Sequence, residues 1–195
     1  MSGSIRDLSQ NESHFERAPV IDTTHELERQ VWDALAEVTD PEIPPCSITD
    51  LGIVERVRLT PDALEVELLP TFAGCPALDV IREDAENAVR PLAGDRAVRV
   101  TFVYSPAWTS DRITPQGRRA LQSYGIRPPG EGRPDTRTFI PLAALERVER
   151  TLACPYCGSE DTVMESAFGP TLCRATHFCR NCRNAFESFK PKSVG

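Results

Sequence analysis

A chain of 195 residues has room for one ordinary domain, or for a small domain with a satellite. With 40% hydrophobic and 26% charged residues the composition is globular, which excludes a fibrous or disordered chain. No run approaches the roughly eighteen apolar residues of a membrane helix, and the polar start Met1–Gln10 lacks the apolar centre of a signal peptide. A cytoplasmic protein is expected, with no membrane partner.

The net charge of −7 is unevenly spread. Residues 151–195 hold 5 Lys/Arg and 4 Asp/Glu, so the remaining 17 basic and 25 acidic residues put −8 on residues 1–150. A generic polyanion binder would not carry its acidity on the larger part. Residues 1–22 are polar and without a clear period, a loosely ordered lead-in. Thr24 can cap a helix with apolar positions at Leu27, Val31, Ala34, Leu35 and Val38, ended by the Asp40-Pro41 step. A proline-rich loop, Asp40 to Cys46, is expected next. Ile53–Leu59 and Leu64–Leu68 alternate apolar and charged residues around the Pro61-Asp62 turn, which predicts a hairpin. A second irregular loop, Pro70 to Pro76, leads into a helix from Ala77 with Leu78, Ile81, Ala85 and Ala88 on one face.

Val98–Tyr104 reads as a third strand, and Gln116–Tyr124 as a short helix closed by Gly125. Arg127–Asp135, with three prolines and two glycines, marks a linker. Phe139–Arg150 fits either a strand or a short helix. The expected architecture is α+β: a small sheet packed by helices, followed by a C-terminal zinc ribbon. The boundaries are 1–22 for the lead-in, 23–126 for the first domain, 127–150 for the linker and 151–195 for the ribbon.

Cys154-Pro155-Tyr156-Cys157 and Cys179-Arg180-Asn181-Cys182 are two Cys-x2-Cys pairs separated by 21 residues. Two facing turns of this kind aim four thiolates at one ion, which suits Zn²⁺, and the metal supplies folding free energy that so short a segment lacks. An iron–sulfur cluster on the same thiolates and a disulfide framework rank below zinc. Cys173 and His177 lie close by and could substitute as ligands; the reading as mere neighbours is favoured, because the four paired cysteines already fill a tetrahedral site. Phe178, Phe186 and Phe189 interleave with Arg174, Arg180 and Arg183, a modest basic-aromatic patch. These phenylalanines read as the ribbon's own core, and nucleic-acid binding is disfavoured.

Cys75 precedes Pro76, a residue favoured at the first helical position. That predicts Cys75 at a helix cap, where free N–H groups stabilise a thiolate; the competing reading is a cysteine that only fills space. Cys46 reads as structural. No phosphate-cradling glycine loop and no Ser-His-Asp arrangement is present, so no catalytic residue is assigned and no catalytic activity of its own is expected.

Asp40-Pro41-Glu42-Ile43-Pro44, Asp50-Leu51-Gly52-Ile53-Val54 and Pro70-Thr71-Phe72-Ala73-Gly74-Cys75-Pro76 together resemble the metal–sulfur cluster assembly domain. Ser105-Pro106-Ala107-Trp108-Thr109-Ser110-Asp111-Arg112-Ile113-Thr114, Gly117-Arg118 and Tyr124-Gly125-Ile126-Arg127-Pro128-Pro129 extend the match. With the cysteine tail, residues 27 to 190 resemble the PaaD family, accessory proteins of the phenylacetyl-CoA epoxidase system of aerobic phenylacetate catabolism. Cys46 and the segment after Pro129 depart from the pattern.

The resemblance implies an assembly or maturation role for iron–sulfur or related metal centres in that epoxidase, whose oxygenase and iron–sulfur reductase components become the expected partners. It maps the reactive cysteine onto Cys75, an acidic loop position onto Asp50, and the ribbon ligands onto Cys154, Cys157, Cys179 and Cys182. A transient iron or iron–sulfur cluster is the expected cargo. Because one cysteine does not satisfy a cluster, a second ligand is expected from Asp50, a partner or a second copy in a homodimer. A docking component without assembly chemistry is the main alternative, and a nucleic-acid-binding ribbon the lesser one.

Overall fold

The computed structural model describes residues 23–128, 152–171 and 173–189. The expected lead-in, most of the expected linker and the undecided segment Phe139–Arg150 lie outside these residues. The chain runs α1 (Thr23–Ala36), β1 (Thr39–Asp40), β2 (Ile43–Ser47), β3 (Val54–Leu59), β4 (Ala63–Leu68), α2 (Leu78–Val89), β5 (Ala97–Phe102), α3 (Pro115–Ser123), β6 (Ile126–Arg127), β7 (Thr162–Ser166), β8 (Arg174–Cys179) and β9 (Ala185–Phe189). Among the described residues no helix is long and apolar enough to cross a membrane.

The central sheet follows from the alternation in its strands. In β4 the odd positions face outward while Leu64, Val66 and Leu68 are wholly buried. β3 pairs with β4 as the expected antiparallel hairpin, Val57 opposite Val66 and Leu59 opposite Leu64. β5 then pairs parallel to β4, from Ala63 opposite Ala97 to Leu68 opposite Phe102. Parallel neighbours need a crossover, and α2 supplies it, burying Ile81, Ala85 and Val89. Val31 and Leu35 of α1 are fully buried beside them, at the 3.6-residue spacing the sequence shows.

Three expectations change here. α1 begins at Thr23, so Thr24 lies inside it, and it ends at Ala36, well before Pro41. The proline-rich stretch is not a loop: β1 and β2 form a small antiparallel pair, Thr39 opposite Ser47 and Asp40 opposite Ile43. The Glu42 N–H donates to Asp40 Oδ1 at 2.8 Å and closes the turn between them. The partner strand takes these backbone groups, so local helix-breaking signals do not decide where α1 stops.

Phe189 is the third change. Phe186 packs with Cys154 and Cys179 in a small ribbon cluster, whereas Phe189 joins the main core. Its ring centroid lies 6.3 Å from that of Trp108, and the Trp108 indole N–H donates to the Leu51 carbonyl at 2.8 Å. β9 also pairs parallel with β6, Ile126 opposite Glu187, so the four-stranded sheet β6-β9-β8-β7 joins the two parts of the chain.

Candidate metal centre and a second cysteine cavity

The two Cys-x2-Cys segments fold as near-identical knuckles. In the first, the Gly158 N–H donates to the Cys154 carbonyl at 2.9 Å; in the second, the Arg183 N–H donates to the Cys179 carbonyl at 2.9 Å. Each turn closes on a left-handed residue, Gly158 at φ +73° and Arg183 at φ +60°. The four sulfur atoms lie within 4.8 Å of one another, with Cys154–Cys182 and Cys157–Cys179 each 3.6 Å apart. A tetrahedral ion with metal–sulfur bonds of about 2.3 Å sets neighbouring sulfurs about 3.8 Å apart, so the four thiols fit such an ion.

The Cys182 N–H and the side-chain amides of Asn181 and Asn184 point at sulfurs of the same cluster. Hydrogen bonds from the Ser159 N–H and Asn181 lower Cys157 to a pKa of about 6. Burial pushes Cys154 up to about 11. All four cysteines would give up their protons to hold an ion here.

His177 and Cys173 stay out of this cluster. His177 Nε2 is 2.9 Å from Ser188 Oγ, its ring stacks on Phe186, and burial lowers its pKa. Arg174, a candidate for a basic patch, is buried instead: its guanidinium sits 2.8 Å from the Glu187 carboxylate and 3.8 Å from that of Glu42, and Nε donates to Thr171 Oγ1.

The expected capping position of Cys75 is not observed. α2 is capped at Ala77, two residues later; the Cys75 N–H donates to the Phe72 carbonyl at 3.2 Å, and residues 75–78 form a further turn in which the Leu78 N–H donates to the Cys75 carbonyl at 3.4 Å. The thiol is half-buried, and burial raises its pKa; the Ala77 N–H opposes that rise, while Asp40, Cys173 and Glu42 add to it. Burial therefore works against the stabilised thiolate expected at this position. Cys75 lines a cavity of about 130 Å³ with Phe72, Pro76, Glu42, Pro170 and Cys173.

Asp50 is not part of the cavity wall. Thr114 Oγ1 donates to its carboxylate at 2.7 Å and the Thr114 N–H to its carbonyl at 2.9 Å. Cys46 is fully buried, its thiol pushed up to about 11 by burial, with Asp50 and Asp40 adding to the rise. Cys173 and Arg174, read from the sequence as a ribbon neighbour and a basic-patch residue, and Glu42, read as part of a loop, lie on or beside the cavity instead. The odd count of seven cysteines was the available signal, since four ribbon ligands leave Cys46, Cys75 and Cys173 unassigned.

A small α+β unit carrying a four-sulfur cluster on a ribbon defines a metal-binding member of the iron–sulfur assembly proteins. Residues 28–102 match the family described as iron-sulfur cluster assembly protein, and residues 140–190 match the PaaD zinc beta ribbon domain. A protein of Escherichia coli (strain K12), named as a candidate component of 1,2-phenylacetyl-CoA epoxidase, is 34% identical over 161 residues, 83% of this chain and 91% of that one. The chain belongs to the PaaD family. An Fe-S protein maturation auxiliary factor of Porphyromonas gingivalis is 30% identical over 97 residues, 49% of this chain and 91% of its own. Among solved structures, a domain of unknown function from Bacillus anthracis has a TM-score of 0.46 at 24% identity, covering 50% of this chain and 92% of that one.

Proposed function

We propose that this chain is a maturation factor for the multicomponent phenylacetyl-CoA epoxidase, delivering iron or an iron–sulfur cluster to its iron–sulfur reductase component. The observation that carries the reading is the placement of Cys75. Cys46 is sealed in the core and four cysteines face one another in the ribbon, which leaves Cys75 as the half-buried thiol of the assembly domain, on a cavity wall. The relative from Escherichia coli supports the link to the epoxidase through the name it carries.

In this reading Cys154, Cys157, Cys179 and Cys182 hold Zn²⁺, which supplies folding free energy to the ribbon. Cys75 is the transfer residue, and its thiol gives up a proton when it binds metal. Asp50 is a positioning residue: its two hydrogen bonds with Thr114 tie the turn after β2 to the start of α3. A single thiolate leaves a metal's coordination shell open, so the cargo passes on by ligand exchange.

The test is Cys75→Ser in cells that make the epoxidase. The expected result is a reductase depleted of iron and acid-labile sulfide, with the variant itself folded and retaining zinc. A reductase with normal iron and sulfide content rules the function out.

A further inference from the structure

Cys173 has no part in the ribbon cluster, yet the fold holds it at a defined place. It immediately precedes β8, which starts at Arg174, whose buried guanidinium reaches the Glu42 carboxylate and also the Glu42 carbonyl at 3.5 Å. Glu42 belongs to the turn between β1 and β2, so this contact fixes the start of β8 against the first part of the chain. The loop before it is equally tight: the Gly169 N–H donates to the Arg174 carbonyl at 2.9 Å, and a Cβ on Gly169 would stand 3.0 Å from that oxygen. The result is a cavity with Phe72, Cys75 and Pro76 on one wall and Pro170 and Cys173 on the other. Both cysteines are half-buried and pack against the main core.

We propose that Cys75 and Cys173 form a two-thiolate site, built across the joint between the assembly domain and the ribbon, that holds an iron–sulfur cluster in transit. This rests on the maturation role proposed above and names its second ligand within the same chain. At about 130 Å³ the cavity is well below the 300–1,000 Å³ typical of pockets for organic ligands, so its occupant is small. Two soft sulfurs line it together with Phe72, Pro76, Pro170, the Glu42 carboxylate and Thr171, whose Oγ1 lies 3.2 Å from Cys173 Sγ; paired thiolates favour iron–sulfur chemistry, with the carboxylate as a further oxygen donor beside them. Clusters are ordinarily held by four cysteine thiolates. Two from this chain leave the remaining positions to exchangeable ligands, which a client's thiolates replace without any change in electron count. Each thiol of the pair loses one proton on binding, and the client's thiols lose theirs on transfer.

The site also assigns the ribbon a role beyond docking. It presents Cys173 to the assembly domain, and Cys179, one of the four facing cysteines, ends β8.

The experiment uses the full chain under anaerobic conditions, incubated with ferric citrate, dithiothreitol and sulfide, so that the ferric iron of the cluster is supplied and the thiols stay reduced, and then desalted. Iron, sulfide and zinc per chain are measured for the wild type and for Cys75→Ala, Cys173→Ala and Cys46→Ala. The wild type and Cys46→Ala are expected to retain iron and sulfide, and the other two to fall to the blank with zinc unchanged. Dibromobimane, which fluoresces only after joining two thiols, gives a readout free of metal. Zinc-loaded wild type and Cys46→Ala should become fluorescent, and either cavity variant should not. If Cys75→Ala loses the cluster while Cys173→Ala keeps it, the pair is overturned and the function of Cys75 stands. If the wild type itself retains no iron or sulfide, the maturation role fails and the inference fails with it.

Discussion

Phe189→Ala separates a ribbon that is an appendage from one that is part of the core. The ring is 7% exposed and packs beside Trp108 at 6.3 Å, inside the cluster that contains Leu51, Leu64 and Ile81. Truncating a buried phenylalanine costs about 3–5 kcal/mol, of which about 0.5–1.5 kcal/mol reflects an aromatic pair. Taking about 4 kcal/mol and a urea slope of about 2 kcal/mol per molar, the unfolding midpoint should fall by about 2 M. Tryptophan emission is the right probe, because the chain's two tryptophans, Trp32 and Trp108, both belong to the first part. Zinc content before denaturation should be unchanged. A midpoint within about 0.3 M of wild type, well below the shift a buried ring demands, would refute the joint core.

Four other substitutions and one alkylation experiment probe particular contacts. Gly52 and Gly94 both have positive φ, +65° and +61°, but a Cβ on Gly52 would stand 2.5 Å from the Arg112 carbonyl while one on Gly94 meets nothing within 4 Å. Gly94→Ala should therefore cost about 1 kcal/mol and Gly52→Ala at least about 1 kcal/mol more; equal losses in thermal unfolding contradict the crowding argument. Arg174→Ala strands the Glu187 carboxylate, which should cost about 3 kcal/mol. Adding Glu187→Gln should recover about 1 kcal/mol, and strictly additive losses in the double-mutant cycle would show that the pair is not coupled. The Cys46 thiol, fully buried and pushed up to about 11, should resist iodoacetamide at pH 8 while Cys75 reacts; peptide mapping that finds Cys46 modified in native protein contradicts its sealed position.

The parts legible in sequence are those governed by local rules. Period-2 alternation marks β3 and β4, the 3.6-residue period marks α2, and two short cysteine spacings mark the knuckles. Longer-range competition hides the rest. The prolines of Ile43–Ser47 suggest a loop, but Pro44 and Pro45 are exposed, so their missing donors cost little in a two-stranded pair with one face open.

Cys75 resembles a cap because Pro76 suits a first helical turn, yet the chain makes one more turn before α2 begins at Leu78. Phe189 could not be assigned to a core without knowing that β9 lies beside β6. The meeting of Cys75 and Cys173 depends on Arg174 and Glu42, residues far apart in sequence, and no spacing rule reaches that far. Asp50 shows the opposite case, a loop acid whose partner, Thr114, becomes evident only in three dimensions.

The most direct test of the maturation role is transfer itself. The full chain, loaded anaerobically with iron and sulfide, is mixed with the metal-free reductase component of the epoxidase, and the two proteins are separated and assayed for iron, sulfide and zinc. The account predicts that iron and sulfide move together to the reductase from the wild type, that none moves from Cys75→Ser, and that zinc stays with the ribbon in both. Equal loading of the reductase from the wild type and from Cys75→Ser, or from iron and sulfide in buffer alone, contradicts it.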